Sequence, residues 1–163
     1  MMAEEMKRVG DSGPGLRMRN KTIFEREKII YRKVGKELIA TYDAKGVYYE
    51  QTVHSCCITD KRVKVKYVLG LFNSQLLKYY YHKTNSQGGN IFPQVRISSV
   101  ENLPIKISDK KTQDKIEILV DKILSAKEKD SKADTIKLEK EIDELVYKLY
   151  ELTEEEIKTV EDI

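Results

Sequence analysis

His54, Cys56 and Cys57 are the residue types that hold metal ions, and they fall within four positions of one another. On a strand, His54 and Cys56 share a face and Cys57 points away. Two ligands do not complete a zinc site, no CxxC pair is present, and His82 is remote in sequence. The pattern predicts no metal centre, and reads the cysteines as small buried hydrophobes. A metal-dependent nuclease needs clustered carboxylates and a lysine. Asp43-Ala44-Lys45 has acid-x-Lys spacing, but so do Asp109, Asp130 and Glu156 with the lysine two residues on. A pattern that recurs this freely in a Lys-rich chain carries little, and Asp43 suits a turn for backbone reasons.

Nor is there a GxGxxG or GxxxxGK[ST] phosphate loop. The Asn-Pro-Pro-Tyr or Asp-Pro-Pro-Tyr tetrapeptide of amino-methylating DNA methyltransferases is also missing. The expectation is a chain without a complete catalytic site and without a cofactor of its own.

Charge is the more informative feature. Residues 1–107 hold 19 Lys/Arg against 10 Asp/Glu, a balance of +9, whereas residues 108–163 hold 11 against 17, a balance of −6. Ten tyrosines occur with no tryptophan, and eight of them lie in the basic part, interleaved with lysine and arginine. Lys and Arg bind phosphates, and tyrosine can bond phosphate or stack on bases. The competing reading places the tyrosines in the core and the lysines in solvent. The +9 balance tilts the cluster towards nucleic acid.

These side chains must be positioned by one core, for which 163 residues suffice without disulfides. No apolar run approaches a membrane span. The first residues lack a signal-peptide pattern, and two adjacent cysteines suit a reducing cytoplasm. Residues 1–19 read as a flexible lead-in. Residues 28–33 and 38–42 read as strands, Asp43-Ala44-Lys45-Gly46 as a hairpin-type turn, and Val47–Thr59 as a further strand. Apolar spacing from Val68 to Tyr80 predicts one helix over about 65–82, then a loop at 85–90 and an extended stretch through Val95 and Ile97. Leu103-Pro104-Ile105 closes this unit. Beyond 111, with neither Gly nor Pro, two apolar stripes predict a hairpin of 111–128 against 134–151. Thr153 to Glu156 reads as a capping box opening a helix over 154–161.

Taken in order, several segments are familiar. They are Phe24-Glu25-Arg26-Glu27-Lys28-Ile29-Ile30-Tyr31-Arg32, Leu38 to Tyr48, Tyr67-Val68-Leu69-Gly70-Leu71-Phe72-Asn73-Ser74-Gln75-Leu76, Asn102-Leu103-Pro104-Ile105, and Glu141 to Thr153. The series resembles the TaqI-like C-terminal specificity domain, the target recognition domain of restriction–modification DNA adenine methyltransferases. Phe72 stands where that family usually has Leu. The resemblance implies a DNA-binding domain that reads a short sequence for a methyltransferase or endonuclease module on the same or another chain. The S-adenosylmethionine-dependent module is absent from this chain.

The resulting expectation is an α+β fold. A small mixed β-sheet recognition domain with packed helices (20–107) precedes a C-terminal helical hairpin (108–163) that acts as spacer or docking surface. The partners expected are double-stranded DNA and the catalytic module, with the tail offering a route to a dimer and no membrane involved. The candidate DNA-binding residues are Arg17, Arg19, Lys21, Arg32, Lys33, Lys36, Arg62, Lys64, Asn85, Gln87 and Arg96. The alternatives are a protein-interaction module that docks a larger enzyme through the tail, and RNA binding through tyrosine stacking.

Overall fold

A computed structural model describes residues 24–49, 51–85 and 93–162. Among them lie strands β1 (Lys28–Arg32), β2 (Ala40–Asp43) and β3 (Val53–Cys56). Six helices follow: α1 (Val65–Asn73), α2 (Gln75–Thr84), α3 (Ile97–Glu101), α4 (Lys110–Lys129), α5 (Ile136–Tyr150) and α6 (Glu154–Glu161). The class is α+β. The sheet is antiparallel throughout, where a mixed one was expected: β1 is central, with β2 and β3 on its two edges.

That order corrects the turn at Asp43–Gly46. It does not join neighbouring strands, since the next strand pairs on the far side of β1. Asp43 shapes it instead. Its buried carboxylate accepts from the N–H groups of Lys45 (2.9 Å) and Val47 (3.0 Å) and from Lys28 Nζ (2.5 Å). Lys28, fully buried, also donates to Phe24 O at 2.6 Å. Burial pushes Asp43 upward, but hydrogen bonds from Lys28 and the two backbone groups outweigh it and hold the carboxyl below its ordinary value. Gly46, at φ 73°, completes the turn. The strand expected over Val47–Thr59 shrinks to Val53–Cys56, because the chain must first cross β1. On the way, Tyr48 stacks on Phe24 with centroids 4.6 Å apart.

The single helix expected over 65–82 is two, broken at Ser74. Ser74 is extended (φ −69°, ψ 152°), and its hydroxyl donates to Leu71 O and accepts from the Leu77 N–H. One side chain thus ends α1 and caps α2. Apolar spacing runs unbroken across this point, so periodicity could not reveal it. The Asn73 amide ties α1 to β2: its Oδ1 accepts from the Ala40 N–H (3.2 Å), and its Nδ2 donates to Ala40 O (2.9 Å).

One core joins the sheet's inner face to α1, α4 and α5. It runs from Ile29, Tyr31 and Leu38 through Tyr67, Leu69 and Leu71 to Ile116, Val120, Ile142 and Val146. Closest approach falls at Gly70, where a β-carbon would sit 2.5 Å from Ile116 Cγ2. The expected tail helices form within two residues of their expected bounds. The capping box is present, with Thr153 and Glu156 bonding each other's backbone N–H. Helix α3 went unread in the sequence, since five residues are too few to show a period.

Candidate functional site

Alternation along β1 turns Ile29 and Tyr31 into the core and Ile30 and Arg32 outward. Register then fixes the outer face. Ile30 lies opposite Thr41 of β2 and Ser55 of β3, and Arg32 opposite Val53. The Arg32 N–H donates to Ile39 O at 3.2 Å, bringing Ile39 into the same row. Helix α1 packs the inner face, and Arg32, Ile39 and Thr41 are exposed on the outer one.

The central strand does not stop at Arg32. The Lys33 N–H donates to Thr52 O (2.9 Å), and Lys33 O then accepts from the Val95 N–H (2.7 Å). Beyond it, the Gly35 N–H donates to Pro93 O (3.0 Å), with Val34 directly opposite Gln94 in an antiparallel bridge. Where β3 ends, residues 93–95 take over its place, and a two-stranded ribbon extends the sheet. Val95 is fully buried, so Gln94 and Arg96 turn to the other side, with Val34 and Arg32. Gly35 (φ 149°) ends the ribbon in the left-handed half of backbone space. A β-carbon there would lie 3.2 Å from the Arg32 guanidinium.

This ribbon gathers four of the sequence candidates: Arg32, Lys33, Lys36 and Arg96. None of the four pairs with a carboxylate of the described residues. Asn85 lies at the end of α2. Its Oδ1 accepts from the Ser99 hydroxyl of α3 (2.5 Å), and its Nδ2 donates to Tyr81 O (3.0 Å). Asn85 therefore serves the α2–α3 joint, on a small cleft of about 180 Å³ that it shares with Tyr80 and Asn102.

Two candidates lie apart from the ribbon. Arg62 chelates Asp60, and these hydrogen bonds hold Asp60 down at about 2. Lys64 pairs with Asp114 (2.7 Å) and Glu117 (2.5 Å) of α4, which raise its pKa. Their charges fasten the start of α1 to its surroundings. Arg17, Arg19, Lys21 and Gln87 lie outside the described residues.

The tyrosine pattern divides in the same way. Tyr31, Tyr67 and Tyr81 belong to the core, and burial pushes Tyr31 up to about 12. Cys56 packs on that core too. Burial, then Cys57 and Glu101, raise its thiol, which suits a packing role over a nucleophilic one. His54 lies 5.6 Å from the Tyr31 ring. Among the described residues, no group of three or more His, Cys, Asp or Glu could hold a metal ion, and no helix is long and apolar enough to cross a membrane.

Sequence reasoning missed Gln94 and Val34. The signal was present in Pro93-Gln94-Val95-Arg96, where one apolar residue between two polar ones marks a half-buried strand. Together the ribbon presents a guanidinium pair, an amide, two ammonium groups and exposed aliphatic side chains on one rigid support. Such a set can bond phosphates and base edges. Compared with known families, residues 2–105 match the TaqI-like C-terminal specificity domain. Among curated proteins, none matches the chain.

Proposed function

The chain belongs to the TaqI-like C-terminal specificity domain family, and from this premise we propose that it recognises a short sequence in double-stranded DNA. In this reading it directs a DNA adenine methyltransferase or endonuclease module, on the same or another chain, to that site. The observation that carries the reading is the open sheet face with its ribbon. Arg32 and Arg96 stand on its exposed side, Lys33 leaves the ribbon on the other side and Lys36 follows Gly35, and none of the four pairs with a carboxylate among the described residues, unlike Arg62, Lys64 and Lys66. Lysines 33 and 36 suit phosphates, and the arginines suit phosphates or guanine edges. Methyl transfer or cleavage belongs to the module, so this chain alone carries out neither.

Duplex affinity measured against salt tests the proposal. The expected dissociation constant at physiological salt is ~10⁻⁴–10⁻⁶ M, rising by about 0.9 log unit per log unit of salt for each phosphate contacted. Replacing Lys33 and Lys36 together by Ala lowers that slope by up to about two contacts' worth. Arg62→Ala leaves the slope unchanged. A slope indifferent to Lys33 and Lys36 moves the interface off the ribbon, and absence of duplex binding overturns the proposal.

A further inference from the structure

The ribbon also raises the question of which residues read bases and which only grip the backbone. Val34 and Gln94 are directly opposite each other in an antiparallel bridge, so their side chains leave the ribbon on the same side. Directly opposed β-carbons lie about 5 Å apart. Both residues are exposed, Val34 at 44%. The Gln94 amide has no hydrogen-bond partner among the described residues, and Val34 is an aliphatic side chain left in solvent beside two arginines. Neither residue is explained by the packing of the fold. A two-stranded antiparallel ribbon is one of the two elements the major groove of B-DNA admits.

We infer that the Val34–Gln94 pair reads a single A·T base pair from the major groove. Gln94 Nε2 donates to adenine N7 and its Oε1 accepts from the adenine N6 amino group, the paired bond that only adenine offers a glutamine. The 5-methyl group of the thymine across the base pair then lies on the Val34 side, where its methyl groups supply apolar contact. Arg32 and Arg96, on the same face and at one end of the pair, hold the neighbouring phosphates or guanines. This assignment rests on the DNA-recognition reading above and goes further, since it names the reading residues and the base pair.

The test uses the full chain and a pool of duplexes with a randomised core, with bound molecules recovered and sequenced. Wild-type protein enriches a motif with at least one A·T position. Gln94→Ala loses about tenfold or more of the preference at that position and keeps it elsewhere. Uracil in place of that thymine, which removes only the methyl group, weakens wild-type binding severalfold and leaves Val34→Ala unaffected. Both side chains are exposed, so the variants fold. If Gln94→Ala selects the wild-type motif, or if the wild-type protein binds duplexes without enriching any motif, the inference is overturned while DNA binding stands. If the wild-type protein binds no duplex, the DNA-recognition reading fails, and this inference with it.

Discussion

Asp143 belongs to α5 yet serves α2: its Oδ1 accepts from the N–H of Gln75 at 2.8 Å, one of the donors a helix start leaves free. The carboxyl borders a cavity of about 400 Å³ floored by Leu69, Val120 and Ile142. Burial raises it to about 6, against the pull of the Gln75 N–H and of Lys78. The folded state thus holds this proton more tightly than the unfolded chain does. Its contribution to stability is complete below pH ~4, declines as pH rises towards 6, and stays lost above that. Asp143→Asn keeps the acceptor and removes the charge. It is expected to stabilise the protein at pH 7 by about 1 kcal/mol, discounted for partial exposure, and to flatten melting temperature against pH between 4 and 6. Neither this role nor that of Lys28 was legible in the sequence. Lysine is ordinarily exposed, and the partner that lets Lys28 be buried lies 15 residues away in a turn.

Elements with a long period were legible. The tail helices were, because two apolar stripes without Gly or Pro admit little else, and so was β1. The break at Ser74 and the crossing after Asp43 were not, because each depends on hydrogen bonds made by one side chain in three dimensions. Gly70 is the sharpest case at this scale. Within α1 it looks like a weak point, since glycine costs a helix about 1 kcal/mol relative to alanine. Against α4 it is required, for the Ile116 methyl group occupies the space a β-carbon would need. Gly70→Ala is therefore expected to lose about 1–3 kcal/mol in urea denaturation despite its better helix propensity. Adding Ile116→Ala is expected to recover part of that loss, so the two substitutions are less than additive. Strict additivity would mean that the helices part without cost.

The charge asymmetry of the sequence is partly consumed by the fold. Asp114, Glu117 and Asp121 of α4 pair with Lys64 and Lys66 at the start of α1. Lys106 pairs with Glu151, and Tyr150 of α5 donates to Pro104 O at 2.5 Å. The acidic tail is thereby the counterpart of the start of α1, while Arg32, Lys33, Lys36 and Arg96 on and beside the ribbon have no such counterpart among the described residues. The candidate site was legible only in part for this reason. Arg32, Lys33, Lys36 and Arg96 were read from their type, but nothing in the sequence distinguishes them from Lys64, whose partners are 50 and 53 residues away. The same packing bears on independence. The family match ends at residue 105, before α4 begins. A chain ending at Ser108 would expose Leu69 and Gly70 and orphan Lys64 and Lys66. It is expected to lose cooperative unfolding in calorimetry and amide dispersion in NMR spectra. A sharp transition from that shorter chain would show that the tail is dispensable to the fold.

The amide of Asn73 has a consequence for how the protein behaves in concentrated solution. A sheet with a free edge strand is a template for another chain, and β2 is such an edge. Asn73 bonds both backbone groups of Ala40, occupying with one side chain the two positions an incoming strand would use first. Asn73→Leu removes the occupant and leaves the strand. The expected result is self-association that grows with concentration, visible by light scattering at temperatures where the native protein stays clear, with fibrillar dye binding on prolonged incubation.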